Sequence, residues 1–121
     1  MQEEGRKVSR KLDVAVAGAL GYKVEVERSH KPCYERYYEV TNQSKRLLPL
    51  YSTDGNAMLE LIGEMKKRGW QVIDMYCNKG HWKCHFTEIR GFKCGYATAD
   101  TLPLAVALAA YKALTGKEWE E

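Results

Sequence analysis

From Thr101 through Tyr111 the chain carries no charged side chain, and Leu102, Leu104, Ala105, Val106, Leu108, Ala109 and Ala110 point in nearly every direction around a helical axis. A helix that is apolar all round must be enclosed all round. A sheet can cover one side of it. The other side needs a neighbouring helix of the same chain or the same helix of a second copy. With 121 residues there is one domain and one modest core. That small size favours a symmetric homo-oligomer through the Leu102–Leu114 helix, its alanines allowing close approach.

The remaining elements follow from periodicity and punctuation. A first helix is expected from about Arg6 to Leu20, with Val8, Leu12, Ala15, Val16, Ala19 and Leu20 on one face and Gly21 as its stop. Tyr22 to Glu27 alternates strictly and predicts a strand with one wet face. Pro32 lies in a connection, Tyr34 to Val40 forms the hairpin partner, and Thr41 to Pro49 is a loop. A second helix is expected from about Asp54 to Arg68, burying Met58, Leu61, Ile62 and Met65, and Gly69 ends it. Three strands follow, at Trp70–Cys77, Trp82–Ile89 and Phe92–Thr98, turning at Asn78-Lys79-Gly80 and Arg90-Gly91. The last helix starts at Asp100 or Thr101 and ends before Gly116. The order αββαβββα, with hairpin-length connections, predicts an α+β single domain. Its architecture is an α/β/α sandwich: a mainly antiparallel sheet of about five strands, three helices and helices on both faces.

Composition narrows the class of function. Aromatic residues make up 11% of the chain and the formal charge is only +3, so the chain is globular and no polyanionic partner is demanded. The N-terminus lacks an apolar signal region, and the longest apolar run is too short to span a bilayer. A cytoplasmic protein with no membrane partner is therefore expected, with Cys33, Cys77, Cys84 and Cys94 as thiols.

Three constellations could carry chemistry. Cys77, His81, Cys84 and His85 have ligand-type spacing. Cys84 and His85, however, are adjacent on a strand and point to opposite faces. An even-length loop puts Cys77 with Trp82, Cys84 and Phe86; an odd one puts it with His81 and His85. Neither gathers four ligands at one tetrahedral centre, so no metal is expected. There is no nucleophile elbow, Walker loop or dinucleotide fingerprint, so neither catalysis nor a cofactor is expected. The third constellation is an anion site. Ser52, Thr53 and Thr101 stand at two helix starts, where backbone N–H groups lack partners, although capping alone explains such residues. On the meander, Tyr76, Trp82, Phe86 and Phe92 interleave with Lys79, Lys83, Arg90 and Lys93. Aromatic planes stack bases and cations hold phosphates.

Leu12-Asp13-Val14, Gly21-Tyr22, Tyr51-Ser52-Thr53-Asp54, Gly69-Trp70 and Ala99-Asp100-Thr101-Leu102-Pro103-Leu104-Ala105 together resemble the phage ABA sandwich family of small phage-encoded proteins. The segment from Ser29 to Leu48 departs from that pattern. The resemblance implies a phage or prophage origin, and it is similar in kind to anti-defence sponges. Those proteins sequester cyclic nucleotides or cyclic ADP-ribose-type immune signals without cleaving them. The expected function is thus non-enzymatic sequestration of a small nucleotide-type ligand. Tyr51 and Trp82 would stack, Arg90 and Lys93 would hold phosphate, and Ser52, Thr53 and Thr101 would donate hydrogen bonds. The alternative is a protein-interaction module with no small ligand. Nucleic acid, reached through the basic hairpin, is the least expected partner.

Overall fold

The computed structural model describes residues 2–30 and 33–120, and the side chains of 10–28 and 35–120. The expectations for Val8, Pro32 and the Cys33 side chain lie outside the described residues. Among those described, α1 (Gln2–Ala19), β1 (Lys23–His30), β2 (Cys33–Val40) and β3 (Lys45–Leu47) come first. Then follow α2 (Gly55–Lys67), β4 (Trp70–Asn78), β5 (His81–Glu88), β6 (Cys94–Ala99) and α3 (Leu102–Thr115). The class is α+β. No described helix is long and apolar enough to cross a membrane.

One sheet of about five strands is not what forms. Among the described residues, six strands make two separate antiparallel sheets, β1-β2-β3 and β4-β5-β6. The additional strand is β3, inside the stretch read as a loop. Lys45, Arg46 and Leu47 pair with Val40, Glu39 and Tyr38. Its burial pattern is exposed throughout, so no hydrophobic alternation announced it. Each sheet turns one face to the helices and leaves the other open, which departs from helices on both faces of a single sheet.

The helix ends have local causes. Gly21, with φ 92°, lets α1 close through Tyr22 N–H to Ala17 O at 2.9 Å. Asp54 caps α2, its carboxylate accepting from Ala57 N–H at 2.9 Å. Lys79 (φ 53°) and Gly80 (φ 80°) form a two-residue turn with both residues left-handed, as a type I′ hairpin requires. This settles the β4–β5 register: Cys77 lies opposite Trp82, and Met75 opposite Cys84.

That register places Trp82, Cys84 and Phe86 on the helix-facing side with Ala99, Ala97 and Gly95 of β6. Helix α3 rests on β5 and β6, and α1 and α2 pack against its other sides. Ala105, Val106, Ala107, Ala109 and Ala110 are wholly enclosed. The apolar circumference of α3 thus finds its cover within the chain, so the reason given for an oligomer through Leu102–Leu114 no longer requires a second copy.

Contact between α3 and β6 is backbone on backbone. A Cβ at residue 95 would meet Ala109 O and Ala113 Cα, each at 2.7 Å, and Ala113 N closer still. Neither neighbour is a flexible chain end, so the helix itself would have to move. Gly95→Ala should destabilise the fold by about 1–3 kcal/mol or more in urea denaturation. At Gly91 a new Cβ would instead meet the Glu88 carboxylate, which can swing away. Gly91→Ala should therefore cost much less, and equal costs would refute the close helix–strand contact.

Candidate functional site

Residues named from the sequence do not assemble. Tyr51 is fully buried, and its hydroxyl donates to Glu39 Oε2 at 2.5 Å. Burial, with the Glu39 carboxylate beside it, pushes its phenol pKa up. Ser52 is also buried, and its backbone N–H donates to Asp13 Oδ1 at 2.9 Å. Thr53 is exposed in the turn before α2. One N–H at that helix start, that of Ala57, is taken by Asp54, whose carboxylate would repel a phosphate. Thr101 is the N-cap of α3, but its hydroxyl makes no capping bond.

Trp82 lies on the helix-facing side of β5, packed against the core. Arg90 and Lys93 are exposed on the β5–β6 turn, at the opposite end of the sheet from the Lys79-Gly80 turn. Tyr51, Ser52 and Trp82 are therefore packed in or against the core, away from the two exposed cations they were to join.

Two buried carboxylates engage Tyr51 and Ser52. Glu39 accepts from Tyr51 and from Arg46, whose Nε and Nη2 lie at 3.1 and 2.9 Å, and Arg46 also pairs with Glu60 at 2.5 Å. Asp13 accepts from both the side chain and the backbone of Ser52 and pairs with Arg10 at 3.2 Å. Together these bonds fasten β2, α1 and the approach to α2.

The open face of the second sheet holds a grouping that the sequence reading did not name as a site. Pairing puts Asp74, His85 and Tyr96 in one row, Tyr76, Lys83 and Thr98 in the next, and Asn78 and His81 in the last. Lys83 Nζ stands 5.8 Å from the Tyr76 ring centre and 5.2 Å from that of Tyr96. The Tyr96 ring also has Lys112 Nζ at 5.1 Å and lies 5.8 Å from the His85 ring. The two tyrosines are 44% and 49% exposed, so their rings remain accessible. Beside them is an open hollow of about 380 Å³ lined by Tyr76, Asn78, Lys79, His81, Lys83 and Thr98. His85 Nε2 is buried with no hydrogen-bond partner.

The sequence signal for this face was the alternation from His81 to Phe86. It became readable only once the turn was known to hold two residues. Cys77 shares the helix-facing side with Cys84 but sits near the end of the edge strand, so the thiols divide by position along the sheet rather than by face. Cys77 and Cys94 are exposed, whereas Cys84 is enclosed and its pKa is pushed up to about 12 by burial. No group of three metal-ligating side chains occurs among the described residues.

No protein-family model matches the chain, and neither the curated proteins nor the solved structures include a match.

Two expectations follow. Iodoacetamide at neutral pH should label Cys77 and Cys94 in the folded protein and spare Cys84 until denaturant is added, as read by peptide mass spectrometry. Burial raises the Asp13 pKa above 3.8, outweighing the opposing Ser52 and Arg10 interactions. Native protein then holds this proton more tightly than unfolded chain does, so the Asp13 contribution to stability falls as pH rises from 3.8 through the raised value. Relative to Asp13→Asn, the wild-type unfolding free energy should decline over that interval and level off above it. A rising difference would contradict the sign.

Proposed function

We propose that the open face of the β4-β5-β6 sheet binds a small nucleotide-type ligand and holds it unchanged. The observation that carries this reading is Lys83, placed between two accessible tyrosine rings beside an open hollow. A base stacks on Tyr76 or Tyr96, while Lys83, with Lys79 at the turn, meets the phosphate. Asn78, His81 and Thr98 offer hydrogen bonds around the hollow. The stacking role passes from Tyr51 and Trp82, which face inward, to Tyr76 and Tyr96. The phosphate role passes from Arg90 and Lys93 to Lys83 and Lys79.

Resemblance to phage ABA sandwich proteins supports the same reading: a non-enzymatic anti-defence sponge for a cyclic nucleotide or cyclic ADP-ribose-type signal, acting in the bacterial cytoplasm.

A protein-interaction module has its own observation at the other end of the sheet. Phe92 projects entirely into solvent on the β5–β6 turn, and Ile89 is 55% exposed beside it. Exposed aromatic and aliphatic residues at one turn suit capture of a protein partner.

Titration calorimetry with a panel of cyclic dinucleotides and cyclic ADP-ribose separates the two. Binding is expected, weakened about tenfold or more by Tyr96→Ala and by Lys83→Ala, since one stacked base is worth roughly 1–3 kcal/mol. Phe92→Ala and Arg90→Ala should leave it unchanged. Affinity indifferent to both Tyr96→Ala and Lys83→Ala would remove the site from this face. No binding across the panel, with partner capture lost in Phe92→Ala, would favour the interaction module.

A further inference from the structure

We infer that the free edge of β4 pairs antiparallel with the same edge of a second copy, joining two three-stranded sheets into one of six. Edge strands expose unpaired N–H and C=O groups and are ordinarily blunted against such pairing. Three of the four edges here are blunted. Lys23, Glu25, Glu27 and Arg28 put charge along β1. β3 is only three residues long. At β6, Lys112 reaches from the helix side of the sheet round to the Tyr96 ring on the open side. Past an irregularity between Val72 and Asp74, β4 has none of these protections. It is nine residues long, every residue from Ile73 to Asn78 is exposed, and Asp74 is its only charge. Ile73, Met75 and Tyr76 are 49%, 42% and 44% exposed.

Regular edge geometry begins after the irregularity between Val72 and Asp74 and ends at Asn78. The pairing segment is therefore Asp74–Asn78, with Tyr76 at its centre. A two-fold axis through Tyr76 keeps the open faces of both copies on one side, so residues of like parity meet. Asp74 then lies opposite the copy's Asn78 and beside its Lys79, at both ends of the ladder. The acidic and basic residues flank the uncharged run Met75-Tyr76-Cys77-Asn78 at opposite ends. Antiparallel self-pairing thus sets unlike charges together, whereas parallel pairing would set like against like. Met75 packs against the copy's Cys77 on the other face. The inference does not rest on the ligand reading. Where both hold, Tyr76 of each copy meets at the axis and the two ligand faces adjoin.

Sedimentation equilibrium on the full chain tests this. A dimer is expected, and Met75→Lys should make it monomeric with an unchanged far-UV spectrum, since Met75 is exposed in the single copy. Asp74→Lys or Lys79→Glu alone should raise the dissociation constant about tenfold, and the double exchange should restore it, because each dimer contains two such pairs. In a Cys33→Ser, Cys94→Ser background, a short bis-maleimide should couple Cys77 to Cys77, which this register places diagonally, roughly 7–8 Å apart. A wild-type monomer overturns the inference and leaves β4 to a different chain. So does a dimer that tolerates Met75→Lys and gives no Cys77 cross-link. Should Met75→Lys fail to fold, the charge exchange decides: two weakened singles without rescue would reject the register.

Discussion

The fold depends on the absence of a side chain at residue 95. Because β6 presents bare backbone there, α3 settles onto the sheet with Ala109 and Ala113 at the contact. At that separation the alanine-rich side of α3 is used against the sheet, and its remaining circumference is left to α1 and α2. One small residue in a strand thereby determines how three helices pack.

A second constraint is polar. Asp13 and Glu39 are carboxylates removed from water, and the chain from Leu48 to Asp54 is shaped to satisfy them. Ser52 answers Asp13, Tyr51 answers Glu39, and Arg10 and Arg46 supply charge from the rim. A buried carboxylate that lost its partner would carry the full cost of desolvation, so these bonds hold the segment in one arrangement.

Much of the fold was legible, and the reasons are specific. Gly21, Gly116, Asp54 and the alternation of β5 act through local backbone chemistry, which a single sequence displays. β3 was not legible, because an exposed three-residue edge has no hydrophobic period. Nor was the division into two sheets, since nothing local says that β1 and β4 fail to pair. The site was only half legible. Tyr76 and Lys83 were named among the meander's aromatic and basic residues, but which rings face outward depended on the turn length. Tyr51 and Ser52 looked like ligand groups because hydroxyls before a helix serve phosphates and buried carboxylates equally well. Only the partner across the core tells them apart.

The division into two sheets also bears on how the chain reaches its native state. β1-β2-β3 and β4-β5-β6 are each meanders of neighbours in sequence, so their pairings close short loops at small entropic cost. The docking of α1 and α2 on α3 brings distant parts of the chain together. Such a topology favours two hairpin-based units that form early and apart, with the final helix as the late clasp. α3, which follows both meanders in the chain, would then be needed only after they have formed.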